Sequence, residues 1–130
     1  MYKHKFLEEP FHIQLFIFSE KVTKDELNQF RNDLETLLNS HIDFYLVFDL
    51  TKLNNFDINL FTAMNKYIYQ NEELVKLYMK ASSIVIRKTM KPIINLAMNF
   101  NKPLVPNLVV SKIEKSIEFL INVNQQILIK

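Results

Sequence analysis

Two carboxylates stand where chemistry could be done. Asp49 closes an apolar run, and Asp57 opens the helical segment that follows. If the run is a parallel strand, both lie at its carboxyl edge, where such a pair could pass a proton or hold a cation. The simpler reading makes Asp49 a cap for loop amides and Asp57 a helix N-cap. No His or Lys motif accompanies the pair, so the simpler reading is preferred. A second cluster, Arg87, Lys88 and Lys91, falls where a strand passes into a helix and free backbone amides point outward. A phosphate or a lipid headgroup could dock there; the plainer alternative is a solvated basic turn. His4, His12 and His41 lack ligand spacing, so no metal site is expected and they read as surface or half-buried histidines.

Composition excludes whole classes of function. The chain has no glycine, where average usage would give about nine. Dinucleotide fingerprints, phosphate-cradling P-loops and nucleophile elbows need glycine's backbone freedom, so all three are gone. With no cysteine, thiolate metal sites, disulfides and cysteine nucleophiles go as well. The expectation is a protein that is not an enzyme and carries no cofactor. Lys and Arg together number 16 against 14 Asp and Glu, and Glu72, Glu73, Glu114 and Glu118 interleave with the lysines, so no broad basic face for nucleic acid is expected. Met1 to Pro10 holds Lys3, Lys5, Glu8 and Glu9 rather than an apolar signal core, and no run approaches the roughly 20 apolar residues of a membrane span. A cytoplasmic protein that is not transmembrane is the default. A length of 130 residues with 48% hydrophobic content suits a single domain over residues 1–130.

The elements that must position these residues follow from periodicity. Tyr2 to Leu7, ended by Glu8-Glu9-Pro10, and Phe11 to Phe18 are strands close enough to pair as a hairpin. Thr23 with Glu26 reads as a capping box, with Val22 and Leu27 as a hydrophobic staple. The helix that follows lines up Leu27, Phe30, Leu34, Leu37 and Leu38, and His41 to Asp43 ends it. Phe44 to Leu50 is apolar almost throughout, the pattern of a strand buried on both faces at the sheet centre. Asp57 or Asn55 caps a helix whose stripe is Leu60, Phe61, Met64, Tyr67 and Ile68; a short helical piece, Glu72 to Tyr78, follows. Ser82 to Arg87 is a strand. Thr89 to Phe100 is a helix with Ile93, Leu96, Ala97 and Phe100 inward and Pro92 tolerated in its first turn. Pro103 and Pro106 bracket a turn before a strand at Leu108 to Val110. Ser111 with Glu114 forms a second capping box for a last helix lined by Ile113, Ile117, Leu120 and Ile121. The order β-β-α-β-α-β-α-β-α predicts an α/β domain with a mixed, mostly parallel sheet of four to five strands and about four helices.

At this level the chain resembles the STAS domains, the anti-sigma-factor antagonists and their SpoIIAA-like relatives. The resemblance rests on element order and two stretches. Tyr45-Leu-Val-Phe-Asp-Leu50, a polar loop and Phe56-Asp57-Ile-Asn-Leu-Phe-Thr-Ala-Met64 look like the family's strand, loop and Asp-Ser-Ser-Gly-Leu helix start. Ala81 to Arg87 and Lys102 to Leu120 look like its later part, where a Lys-Pro dipeptide precedes a short strand and final helix. In regulatory members a kinase phosphorylates the second serine of that phrase. Here Asp57 keeps the acidic residue, Ile58 replaces the first serine, Asn59 the phosphorylated one and Leu60 the glycine. Asn accepts no phosphate, which removes the usual switch; Thr62, one turn on, is the alternative acceptor.

The resemblance implies a regulatory or protein-interaction module whose partner meets Asp57, Ile58, Asn59 and Thr62. The alternative is a small-ligand or lipid-binding domain with its anionic group at Arg87, Lys88 and Lys91. Val123, Ile127, Leu128 and Ile129 carry apolar character into the C-terminus, past the expected end of the last helix. That tail either packs back on the domain or meets a partner or a second copy in a homodimer.

Overall fold

A computed structural model describes residues 1–8, 11–100 and 102–129, with the backbone alone for Phe100 and Ile129. β1 (Lys3–Leu7) and β2 (Ile13–Ile17) pair antiparallel as a hairpin, with His4 opposite Phe16 and Phe6 opposite Gln14. Residues 9 and 10 of the Glu8-Glu9-Pro10 signal lie outside the described residues. β2, β3 (Phe44–Asp49), β4 (Met79–Val85) and β5 (Asn107–Val110) run parallel, in the spatial order β1-β2-β3-β4-β5. β3 sits at the centre and is buried from Phe44 to Phe48, as an unbroken apolar run requires. The carboxyl ends of all four parallel strands therefore share one edge of the sheet.

Alternation along the strands sorts the core into two layers. One face presents Phe16, Phe18, Leu46, Phe48 and Ile84 to α1 (Lys24–Asn39), α2 (Ile58–Gln70), α3 (Glu72–Tyr78) and α4 (Lys91–Phe100). The rings of Phe16, Phe18, Phe30 and Phe48 meet there with centroids 5.1–6.4 Å apart, within the range of favourable aromatic pairs. The other face presents Ile13, Tyr45, Val47, Ala81 and Val85 to α5 (Ile113–Ile129). Among the described residues the fold is α/β with a five-stranded mixed sheet and five α-helices, against an expectation of about four; the short helical piece expected at Glu72–Tyr78 is a helix in its own right, separated from α2 only by Asn71.

Local signals explain most boundaries. Thr23 Oγ1 accepts from the Glu26 amide (3.2 Å), but Glu26 does not close the box: its carboxylate accepts from Ser19 N–H (3.1 Å) and Ser19 Oγ–H (2.6 Å), tying the end of the β2 segment to α1. At the other end of α1, Ser40 N–H returns to Thr36 and Leu37, and His41 takes φ 59°. A helix stop of this kind prefers glycine; a chain with none must place a side chain in the left-handed region. His41 is held there by Tyr78, whose hydroxyl lies 2.9 Å from its Nδ1.

Three expectations are corrected. β4 begins at Met79 rather than Ser82, because α3 runs straight into the strand and a register shift between Phe44 and Tyr45 lets Met79 and Ala81 both pair with β3. The helix after β4 is a 3₁₀ turn, Lys88–Met90, followed by α4, and its inward residues are Met90, Ile94 and Ala97. Ile93 and Leu96 are 49% and 57% exposed; both stripes satisfy helical spacing, and the rotation at which the helix meets the sheet selects between them. The Phe100 side chain is outside the described residues. α5 opens at Ile113, with Ser116 N–H donating to the Lys112 carbonyl (3.4 Å), which leaves Ser111 one residue short of the cap. That helix also absorbs the apolar tail: Val123 packs on the sheet, while Ile127 and Leu128 remain exposed on its last turns.

Candidate functional site

The loops that leave β2 and β3 lie side by side at the carboxyl edge. Phe18 N–H donates to the Asp49 carbonyl (3.1 Å) and Leu50 N–H to Val85 (2.8 Å), extending the sheet by one residue on two strands. Asn54 N–H then donates to the Glu20 carbonyl (3.0 Å), so the β3–α2 loop is fastened across the β2–α1 loop. Arg87 holds it from beneath, donating through Nη2 to the carbonyls of Leu53 and Asn54, the latter at 3.4 Å. Two carbonyls of the loop are thus tied by a cation that follows the end of β4.

Between these loops and the first turns of α1 and α2 is a cavity of about 350 Å³. Phe18, Leu50, Leu53, Phe61 and Met64 are buried residues that line it, and Val22, Leu27, Phe56 and Leu60 complete its apolar walls. Glu20, Lys21, Asn54, Asn55 and Asp57 are its polar lining. An aliphatic side chain buried in such a cavity would contribute about 1.5–3 kcal/mol. Leu27 and Leu60 read from sequence as core stripe; their position in the first turn of each helix, where the stripe overruns the end of the sheet, is the signal that marks them as cavity wall.

Asp57 caps α2 through Oδ1, which accepts from the amides of Asn59 (2.9 Å) and Leu60 (3.4 Å). Ile58, Asn59 and Thr62 are exposed on the first two turns of α2, outside the cavity lining, and Ile58 leaves 44% of its surface in solvent. Asp49 turns to its own loop, its Oδ1 accepting from Thr51 N–H (3.0 Å) and Thr51 Oγ–H (2.6 Å). Both aspartates therefore hold backbone at the same edge, and Asp49 does not line the cavity that Asp57 rims. The basic cluster is divided: Arg87 belongs to the loop clamp, whereas Lys88 and Lys91 line a separate groove with residues of the β5–α5 turn.

The histidines behave in a way their spacing did not announce. Antiparallel pairing brings His4 and His12 to the two ends of the Gln14 amide, His4 Nε2 at 2.5 Å from Oε1 and His12 Nε2 beside Nε2. His4 stacks on Phe16 and faces Asp33 at 3.6 Å. Asp33 also accepts from the Tyr2 hydroxyl (2.7 Å), and burial together with that carboxylate holds the Tyr2 phenol well above its ordinary value of 10.0. Among the described residues no group of three His, Cys, Asp or Glu side chains is arranged to hold a metal ion, and no helix is long and apolar enough to cross a membrane. Comparison with protein-family models and with curated proteins finds no match.

Proposed function

We propose that this chain is a non-catalytic, STAS-like regulatory module of the cytoplasm, which binds a protein partner through the surface around the start of α2. The observation that carries the reading is the open apolar cavity between the β2–α1 and β3–α2 loops, with exposed Ile58 next in sequence to the rim residue Asp57. An exposed isoleucine beside an open apolar recess is a surface that gains by being covered. Asp49 and Asp57 both engage their own backbone, which suits a recognition surface better than a proton-transfer site. Asn59 stands where STAS regulators carry the phosphorylated serine, so partner binding here does not depend on that modification.

The test uses the full chain with a photo-crosslinking residue at position 62 and, as control, at position 36 on α1. The reading expects one protein to crosslink from position 62 and not from 36, with the yield falling about tenfold in Ile58→Asp. The cavity volume also suits a small molecule, whose bound site would typically occupy 300–1,000 Å³. Native mass spectrometry separates the two. A stoichiometric small-molecule adduct, with no crosslink that depends on Ile58, would replace the partner reading by the ligand-carrier one.

A further inference from the structure

The same edge of the sheet holds a second opening, at the ends of β4 and β5. The chain leaves β4 through the 3₁₀ turn toward α4 on one face, and leaves β5 toward α5 on the other. When neighbouring parallel strands send their chains to opposite faces, the two connections diverge and a crevice opens between them, the usual ligand position in open α/β sheets. Here it is a groove of about 550 Å³. Lys88 and Lys91 line it from the α4 side, Lys112 and Lys115 from the α5 side, and Leu108, Val109 and Phe119 give it an apolar wall. Glu118 is the single carboxylate of the lining and pairs with Lys115 at 3.4 Å. Lys88, Lys91 and Lys112 have no carboxylate partner among the described residues.

This distribution opposes the field of the helices. A helix N-terminus carries about half a positive charge and favours acidic residues in its first turn. α4 has none there and α5 has Glu114 alone, while lysines gather at both starts. Four ammonium groups around two positive helix ends repel one another, and an anion between them offsets that repulsion by its attraction to each. A dianion with several acceptor oxygens satisfies more of these donors than a carboxylate does. We infer that the groove between the carboxyl ends of β4 and β5 binds a phosphate group carried on an apolar or aromatic body, held by Lys88, Lys91, Lys112 and Lys115. It uses none of the residues assigned to the α2 surface, so either proposal can fail alone. The phosphate can belong to a soluble ester or to a lipid headgroup.

Isotope-labelled full-length protein, titrated with pyrophosphate at constant ionic strength and followed by amide NMR, tests the first source. Flotation with phosphatidylcholine vesicles, with and without phosphatidic acid, tests the second. Saturable shifts confined to residues 88–91 and 111–115, or flotation that requires phosphatidic acid, uphold the site and identify its source. Binding should weaken about tenfold in Lys91→Gln/Lys112→Gln and stay within about twofold in Lys24→Gln/Lys66→Gln, which makes the same change in net charge elsewhere. Absence of both kinds of binding, or equal weakening by the two double variants, overturns the proposal. All four substitutions are outside the buried core, and matching amide spectra of the variants would confirm that folding is intact.

Discussion

Ile93 and Ile94 are chemically identical neighbours on α4 to which the structure gives opposite environments: Ile94 is fully buried, and Ile93 keeps half its surface in water. Truncation to alanine removes three carbons from each. At Ile94 the transfer term alone is about 2.4 kcal/mol at 0.8 kcal/mol per buried carbon, and the cavity left among Met90, Ala97 and the sheet raises the loss to about 3–4 kcal/mol. At Ile93 about half the transfer term applies, no closed cavity forms, and alanine's better helix propensity returns several tenths, so the net loss is under about 1 kcal/mol. With a urea slope of about 1.5–2 kcal/mol per molar, the unfolding midpoint falls by about 2 M for Ile94→Ala and by less than about 0.6 M for Ile93→Ala. A stability of about 5–15 kcal/mol leaves both variants folded in water. Equilibrium urea unfolding read by circular dichroism, with slopes matching wild type, is the assay. Equal losses, or the larger loss at Ile93, would refute the rotation assigned to α4.

Glu26→Ala strips the acceptor from two Ser19 donors and should lower stability by about 1.5–3 kcal/mol, with Glu26→Gln intermediate; identical urea midpoints for Ala and wild type would count against the Ser19 tie. Arg87→Met keeps the apolar stem and removes the guanidinium, so amides of residues 53–57 should exchange faster while those of β3 do not, and unchanged loop exchange would dismiss the clamp. Tyr2 gives the pH dependence. Its phenol, raised by burial and then by Asp33 and Glu26, stays protonated in the fold while the unfolded chain ionises near 10.0, so its contribution is full below that pH and is lost as pH rises above it. Stability should fall less steeply above pH 10 in Tyr2→Phe than in wild type; equal slopes would show that Tyr2 titrates normally.

The hairpin, the α1 stripe, the central strand and the Asp57 cap are legible in the chain because each is set by neighbours within one turn or one strand. Asp49 and Asp57 are legible in the same way, as short-range caps. The errors occur where an outcome depends on docking. Ile93 and Ile94 offer helical stripes of equal quality, and the exposed and buried faces of α4 are chosen by its rotation against α2 and β5. Glu26 has the spacing of a capping box, yet Ser19, brought near by the turn from β2, competes successfully for its carboxylate.

The amino-acid sequence alone determines that this is an alternating α/β chain, without the glycine or cysteine that many catalytic motifs require, and where most of its elements lie. Those properties are local: periodicity, capping and backbone freedom act over a few residues. Only the tertiary structure decides that Arg87 parts from Lys88 and Lys91, that Lys112 and Lys115 join the latter pair, and that an apolar cavity opens beside Asp57. Those groupings depend on which face each helix takes after its strand, and that choice minimises exposed apolar surface over the whole sheet rather than within any segment of it.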